Sequence, residues 1–386
     1  MSDPAPQGAT GSWTPSRPLS VGVEEEFFVA DGKTHELCDI TPLLDSMAAN
    51  RSRHGTEDYG TELRSCIIES RTAICWSLSG LRADLRTRRD ALVRAATEAG
   101  CAIVAAGTYP SGDWRQVGFT PQPRFDHIAG TYARLAAEHL VCACQVHVGV
   151  EDRDTAVAVI NRVRPWLPAL LALAASSPFW TAEDTGYASY RTILWARWPM
   201  AGIPPTLSSY ADHRARVRRF IDIGISADAG QLFWDVRPGT RYDTVEFRIA
   251  DACTTVDEAV LQAGLSRALV HRCLTEIARG EPAPPADPEL LVIAKWRAAR
   301  FGLSGELVDP LTAELVPAAV LVDRFLDHVR GPLTDAGDWA ETTGLVNRAF
   351  RRGNSADRQR RALTRSRRVA DVVELLINET MATESR

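Results

Sequence analysis

The sequence predicts a single α+β domain, with a largely antiparallel sheet in the first two thirds of the chain and helices in the last third. Short segments rich in β-forming residues recur before residue 250, and several alternate apolar and polar side chains with a period of two. From residue 255 onward the apolar residues recur at helical spacing, with a proline-rich break at 281–288. No repeat or linker divides the chain, so we expect one domain over 19–380, after a disordered tail over 1–18.

The individual elements follow from these patterns. A first strand begins at Val21 and ends at a turn over Asp31 and Gly32. Later strands are predicted over 62–70, 101–106, 141–150, 232–237 and 244–250. Helices are predicted over 41–50, 79–99, 132–140 and 155–175, the last one bent near its two prolines. The Trp-rich segment 176–205 is predicted to be a long loop, in which Phe179–Trp198 forms either a lid over a binding site or a set of packing aromatics.

Composition excludes several classes of protein. A formal net charge of -5 gives no basis for nucleic-acid binding. No G-x-x-x-x-G-K-[ST] motif is present, so any use of ATP does not involve a P-loop. The longest apolar run, 166–175, is too short to span a membrane, and the N-terminus lacks signal-peptide features. We therefore expect a cytoplasmic protein without a membrane partner, whose cysteines are free thiols.

Three consecutive glutamates, Glu24, Glu25 and Glu26, lie in a segment that otherwise has the composition of a buried strand. Successive side chains of a strand point to opposite faces, so Glu24 and Glu26 share one face while Glu25 points into the core. Acidic residues are depleted in strands and paired carboxylates repel each other, whereas Mg²⁺ takes carboxylate oxygens as ligands. The segment therefore predicts either a metal site or an edge strand with a solvated acidic face.

Other strands also carry polar residues on one face only. These pairs are Gln145 with His147, Asp235 with Arg237, and Glu246 with Arg248. Taken singly, they are typical of a structural histidine and of cross-strand ion pairs. Taken together, they indicate a sheet face suited to metal ions and phosphates. Glu62 and Glu69 have opposite strand parity, so both reach that face only if their strand is bulged or broken.

These groups predict a particular kind of reaction. Carboxylates and an imidazole that hold two or three Mg²⁺ ions would bridge the phosphates of a nucleotide. Arginines would stabilise the transferred phosphoryl group and bind an acidic substrate. A carboxylate acceptor would give an acyl phosphate, which an amine then attacks, and no Ser, Cys or Lys nucleophile is required.

Six motifs, in order along the chain, resemble those of the type 2 glutamate–cysteine ligase family, a bacterial group of ATP-dependent carboxylate-amine ligases with weak glutamate–cysteine ligase activity. They are GVEEEF at 22–27, an acidic motif at 61–72 that begins Thr-Glu-Leu, CQVHVGV at 144–150, SPFW to SYR at 177–191, WDVRP at 234–238 and TVEFRI-x-D at 244–251. The resemblance runs from about residue 20 to residue 375. It implies a glutamine-synthetase-like catalytic sheet, the use of ATP and Mg²⁺, and a γ-glutamyl phosphate intermediate.

The resemblance also implies roles for individual residues. The expected metal ligands are Glu24, Glu26, Glu62, Glu69, His147 and Glu246. The residues expected to contact phosphate, nucleotide or substrate carboxylate are Gln145, Arg191, Arg237 and Arg248, with Thr72 as a further lining residue.

The implied reaction joins L-glutamate to L-cysteine and releases ADP and phosphate. Three alternatives stay open: ligation of glutamate or another carboxylate to a different amine, a guanidino-kinase-type phosphotransferase, and a nucleotide- or metal-binding protein without turnover. In each case the partners are small molecules, and a homo-oligomer is compatible with the sequence.

Overall fold

The computed structural model describes residues 18–49 and 59–382. The predicted tail lies outside the described residues except for Pro18. The predicted class is confirmed: helices and an antiparallel sheet are combined, and helices dominate the C-terminal third.

The described strands are β1 (Val21–Asp31), β2 (Tyr59–Thr61), β3 (Ile67–Arg71), β4 (Cys101–Val104), β5 (Cys144–Gly149), β6 (Phe179–Trp180), β7 (Glu183–Asp184), β8 (Val236–Pro238), β9 (Thr244–Phe247), β10 (Glu306–Asp309) and β11 (Glu314–Pro317). The described α-helices are α1 (Thr41–Ala49), α2 (Leu78–Glu98), α3 (Pro123–Tyr132), α4 (Arg134–Ala137), α5 (Arg153–Val163), α6 (Leu167–Ala174), α7 (Tyr190–Trp195), α8 (Tyr210–Asp222), α9 (Val256–Ala278), α10 (Pro288–Phe301), α11 (Ala318–Asp335), α12 (Trp339–Arg352), α13 (Ser355–Ser366) and α14 (Val369–Met381).

The main sheet has seven antiparallel strands in the order β2-β3-β1-β5-β9-β8, and β4 pairs with the end of β1. β1 lies in the interior of this sheet, paired with β3 on one side and β5 on the other. The alternative of a solvated edge strand is therefore wrong. The register places Glu24 opposite both Arg71 and Gln145, and it places His147 opposite Glu246. Polar residues from four strands thus share one face.

The other face of the sheet is apolar and lies beneath helices. Its valines alternate with the polar residues along each strand and are buried: Val21, Val23, Val146, Val148 and Val245. They join one core cluster with side chains of α2, α5 and α9. Burying this surface stabilises the sheet and fixes its register, because a one-residue slip would turn the valines to the polar side.

Glu25 points into this apolar side, as its strand parity predicts, and forms a buried ion pair with Arg89 of α2. The Arg89 Nη2 donates to Glu25 Oε1 over 2.6 Å, and its Nε donates to Oε2 over 3.1 Å. The same guanidinium donates to the carbonyls of Cys253 and Thr254, over 2.7 and 2.8 Å. Glu25 is therefore a structural residue that ties β1 to α2 and to the start of α9.

Some predicted elements differ from the structure. The predicted strand 62–70 is strand only from Ile67 onward, where it forms β3, because residues 62–66 form a loop. In place of a helix over 132–140, α3 ends at Tyr132 and only the short α4 follows. The hairpin of β10 and β11 interrupts the C-terminal third, which is otherwise helical as expected. Its strands have four residues each, too few for an alternating pattern to outweigh the surrounding helical spacing.

One helical stretch of the described residues, 153–174, is long and apolar enough by composition to cross a membrane. However, 83% of its most apolar window is buried inside the protein. A 3₁₀ turn at Arg164–Trp166 divides it into α5 and α6, in agreement with the bend predicted at its prolines. We interpret this stretch as part of the core. The eight cysteines are free thiols, as predicted.

Candidate active site

The polar face of the main sheet lines a cavity of about 640 Å³. All six residues expected to be metal ligands line it: Glu24, Glu26, Glu62, Glu69, His147 and Glu246. Gln145, Arg237 and Arg248 line it as well. The residues come from segments far apart in the sequence, and antiparallel pairing places them side by side. The cavity is therefore the candidate active site.

Glu26, Glu62 and Glu69 form a three-carboxylate cluster, with one oxygen of each within 4.8 Å of the others. Glu26 and Glu69 face each other across β1 and β3. Glu62 joins them because β2 ends at Thr61, so Glu62 lies in the loop before β3 and is freed from strand parity. The predicted strand is thus broken between Glu62 and Glu69, which is one of the two ways, a bulge or a break, in which both side chains can reach the same face. The cluster offers only oxygen donors, which suits a hard divalent cation such as Mg²⁺.

The electrostatics of this cluster also suit a cation. Burial and the neighbouring Glu26 raise the pKa of Glu62 to about 8. Burial, Glu62 and Glu24 raise the pKa of Glu69 well above its usual value. Burial raises the pKa of Glu26 as well, although Arg191 and the Ala143 backbone N–H oppose the shift. Three carboxylates this close do not all ionise near neutral pH without a compensating positive charge.

Glu24, His147 and Glu246 form a second cluster beside the first. The Nε2 of His147 lies 3.6 Å from Glu24 Oε1, and its Nδ1 lies 3.0 Å from Thr244 Oγ1. That Nε2 is buried and has no hydrogen-bond partner among the described residues. Burial lowers the pKa of His147, but Glu24 and Glu246 outweigh it and leave the pKa raised. Burial favours a neutral Glu24, yet His147 outweighs it and the pKa of Glu24 is lowered.

Two arginines hold Glu246 ionised. Arg237 binds both carboxylate oxygens of Glu246, from Nε and Nη2, each over 2.9 Å. Its Nη1 donates to the carbonyls of Gly230 and Leu232, over 2.8 and 2.7 Å. Arg248 Nη1 also donates to Glu246. Burial raises the pKa of Glu246, but Arg237 and Arg248 outweigh it and hold that pKa well below its usual range.

Gln145 connects the two clusters. Its Oε1 accepts from Arg248 Nη1 over 2.5 Å, and its Nε2 donates to Glu26 Oε1 over 2.9 Å. The backbone N–H of Ala143 donates to the other oxygen of Glu26 over 2.7 Å. Glu26 is thus oriented by two donors, and Gln145 fixes its position relative to Arg248.

Two expected site residues do not line the cavity. Arg191 is buried behind it, where its guanidinium donates to the carbonyls of Arg248 and Ile249 over 3.2 and 3.4 Å. Arg191 therefore lies outside the cavity lining, with the backbone of the chain after β9 against its donors, and its contact with phosphate or substrate stays a prediction. Thr72 accepts a hydrogen bond from the Val23 N–H over 2.9 Å and likewise lies outside the cavity lining.

Arg71 is a cavity residue that the sequence analysis did not single out. Its Nη2 contacts Glu69, and its Nε lies 3.8 Å from Glu24 Oε1, so it bridges the two clusters. Gly60 on β2 lies against it, and a Cβ at Gly60 would come 2.6 Å from Arg71 Nη2. The signal was present in the sequence, because Arg71 follows Glu69 by two residues and shares its strand face. Arg124 and Arg241 also line the cavity, but from outside the sheet, where strand parity gives no signal.

One end of the cavity is aromatic. Trp195 and Trp198 are buried there beside Phe233, and both pack against its ring. Trp198 Nε1 donates to His139 Nδ1 over 3.0 Å, and burial, with Arg191, lowers the pKa of His139 to about 3. These tryptophans are buried and line the cavity wall, which favours the packing alternative for them.

An antiparallel sheet with one face of carboxylates, imidazole and arginines, backed by helices, places this chain in the glutamine-synthetase-like class of ligase folds. Within that class the chain belongs to glutamate–cysteine ligase family 2, whose sequence profile matches residues 20–381. The family resemblance found in the six motifs is therefore confirmed.

Related proteins support this membership. The chain is 42% identical over 375 residues to a Frankia alni protein provisionally named glutamate–cysteine ligase 2-2, with 94% of this chain and 97% of that protein covered. A second Frankia alni relative, provisionally named glutamate–cysteine ligase 2-3, is 41% identical over 365 residues. The alignment covers 95% of this chain but only 42% of that longer protein.

Among solved structures, the fold is similar to that of the glutamate–cysteine ligase of Francisella tularensis in complex with AMP. The TM-score is 0.68, the sequence identity is 10%, and the match covers 95% of this chain and 90% of the other. At that identity the similarity concerns the fold alone.

Proposed function

We propose that the protein is an ATP-dependent carboxylate–amine ligase that joins L-glutamate to L-cysteine through a γ-glutamyl phosphate, releasing ADP and phosphate. The observation that carries the proposal is the pair of acidic clusters, Glu26–Glu62–Glu69 and Glu24–His147–Glu246, on one sheet face with Arg237 and Arg248. Membership of glutamate–cysteine ligase family 2 supports the ligase class.

We assign each acidic cluster to one Mg²⁺ ion. Bound Mg²⁺ would neutralise charge on the nucleotide phosphates and polarise the transferred phosphoryl group. His147 is suited to this role because a neutral ring that donates Nδ1–H to Thr244 keeps its Nε2 lone pair for an ion. Glu246 is kept ionised by its two arginines, so it needs no deprotonation before an ion binds.

The arginines have different roles in this proposal. Arg237 uses three of its donor groups on Glu246 and two carbonyls, so we assign it as a positioning residue for that carboxylate. Arg248 keeps its Nε–H without a partner among the described residues. Arg71 is about a third exposed and faces the cavity. We therefore assign Arg248 and Arg71 to the phosphoryl group and the substrate carboxylate.

Binding of Mg²⁺ to the nucleotide-free protein is expected to release at least one proton at pH 7, because the pKa values of Glu26, Glu69 and His147 are raised along with that of Glu62. Glu62, with a pKa of about 8, is mostly protonated there and must ionise to bind the ion. Isothermal titration calorimetry in PIPES and in Tris, which differ in ionisation enthalpy, measures the proton count. Equal heats in the two buffers would contradict the raised pKa.

The proposed reaction is tested by ADP release from ATP and Mg²⁺ with glutamate, with and without cysteine, followed by mass spectrometry. We expect ADP release that depends on both amino acids, together with γ-glutamylcysteine. Hydroxylamine in place of cysteine is expected to give γ-glutamyl hydroxamate, because it traps an acyl phosphate whatever the natural amine is.

The same assay separates the alternatives. Hydroxamate without any dipeptide would keep the acyl-phosphate chemistry and exclude cysteine as the amine. A stable phosphorylated guanidino product would favour the phosphotransferase. Absence of glutamate-dependent ADP release with cysteine, other amines and hydroxylamine would overturn the proposal.

A further inference from the structure

A second cavity, of about 680 Å³, lies on the helical side of the protein among α2, α6, α9, α12, α13 and α14. It shares no lining residue with the active-site cavity. Its apolar lining comes from Leu173, Val256, Leu261 and Leu345, which are buried. The cavity is thus large enough for a small metabolite and offers an apolar surface to it.

Arginines surround this apolar lining. They are Arg86 of α2, Arg348 and Arg352 of α12, and Arg358 of α13. Acidic residues also line the cavity, but each already has an arginine partner. Asp257 contacts Arg82 and Arg348, Glu258 lies 2.8 Å from Arg358, and Glu379 lies 2.8 Å from Arg358 and 3.4 Å from Arg352. The carboxylates are therefore neutralised within the wall.

Arg86 is not paired with any of these carboxylates. It has no ion pair or hydrogen bond among the described residues, and its Nε is buried. Arg86 lines the cavity and is only partly buried, so an anion bound there gains a charge-assisted contact with a guanidinium that no carboxylate of the described residues neutralises. The cavity also lies at the N-terminal end of the 23-residue helix α9, where the helix dipole adds positive potential.

We propose that this cavity is a second ligand site, which binds a small molecule with a carboxylate or phosphate group on an apolar body. The oxyanion pairs with the guanidinium of Arg86, whose planar donors match both groups. The apolar body covers the surface formed by Leu173, Leu261 and Leu345. The proposal is independent of the reaction at the active site.

The second cavity is linked to β1, which carries two active-site glutamates, through a buried hydrogen-bond and ion-pair network. Thr255, which lines the cavity, follows Thr254, whose carbonyl accepts a hydrogen bond from Arg89. Arg89 in turn pairs with Glu25, which stands between the two active-site glutamates of β1. A ligand in the cavity would therefore contact the segment at Thr254 and Thr255. The Arg89–Glu25 ion pair joins this segment to β1.

The test uses 8-anilinonaphthalene-1-sulfonate, an oxyanion on an apolar body, as a fluorescent probe of the full-length protein. We expect Arg86→Ala to weaken probe binding at least about tenfold, as loss of a charge-assisted contact predicts. Arg94→Ala is the matched control, since Arg94 is exposed on the same helix. Salt should weaken binding to the wild-type protein.

Competition with inorganic phosphate and with hexanoate distinguishes the two oxyanions. Displacement of the probe by phosphate assigns a phosphate ligand, and displacement by hexanoate assigns a carboxylate. Wild-type affinity in Arg86→Ala, equal weakening in Arg94→Ala, or no displacement by either competitor overturns the proposal. Arg86→Gln serves as a second variant if Arg86→Ala does not fold.

Discussion

Replacing Glu62 by glutamine is expected to lower ATP turnover by more than about 100-fold, because even residues that only support a metal ligand contribute 10- to 100-fold. The amide keeps the size and one oxygen of the side chain but cannot supply the negative charge that an ion requires. Glu26 and Glu69 would then face the ion alone. The assay is ADP release with glutamate and cysteine, together with a Mg²⁺ titration of the melting temperature.

The same substitution is expected to stabilise the metal-free protein above neutral pH. Glu62 has a pKa of about 8 in the fold, raised from the usual 4.5, so the unfolded chain binds fewer protons between these values. Stability of the wild type therefore falls as pH rises through this window, and glutamine removes that loss. Reduced activity combined with a higher melting temperature at pH 8 is a result that simple misfolding does not give.

Glu374→Gln is the matched control, because Glu374 is exposed on α14 and does not line the active-site cavity. It should change neither turnover nor the response to Mg²⁺. Full turnover in a folded Glu62→Gln protein would remove Glu62 from the mechanism. A melting temperature that falls with the substitution at pH 8 would contradict the repulsion described for the three-carboxylate cluster.

Arg89→Ala is expected to lower the free energy of unfolding by about 3–5 kcal/mol, the usual cost of removing one partner of a buried ion pair. The substitution leaves the Glu25 carboxylate buried without its counter-charge and leaves the carbonyls of Cys253 and Thr254 without this donor. Urea denaturation followed by circular dichroism measures the change. Glu25 is 3% exposed, so bulk solvent screens its uncompensated charge only weakly.

Two further variants separate the charge effect from lost packing. Arg94→Ala, on the exposed side of the same helix, should change stability by less than about 0.5 kcal/mol. The double variant Glu25→Gln, Arg89→Met buries no charge and should recover much of the loss. If Arg89→Ala costs no more than Arg94→Ala, the pair contributes nothing to the stability of the fold.

Strand parity is what the sequence by itself determined most securely about the site. Alternation along a strand is a local property of the backbone, so Glu24 and Glu26 had to share a face and Glu25 had to oppose them. The same reasoning placed Gln145 with His147 and Glu246 with Arg248. The polar face therefore followed from the sequence, and the six motifs identified the family without coordinates.

Tertiary structure alone decided the features that depend on pairing and loop paths. The sequence indicated that a bulge or break must separate Glu62 from Glu69 if both reach the polar face, but it did not locate that feature. The end of β2 at Thr61 depends on pairing with β3. Arg191 lies in a recognisable motif, yet its guanidinium packs behind the cavity wall against carbonyls that only folding brings there. The second cavity is lined by six helices from separate parts of the chain, and the periodicity within one helix does not predict such a contact.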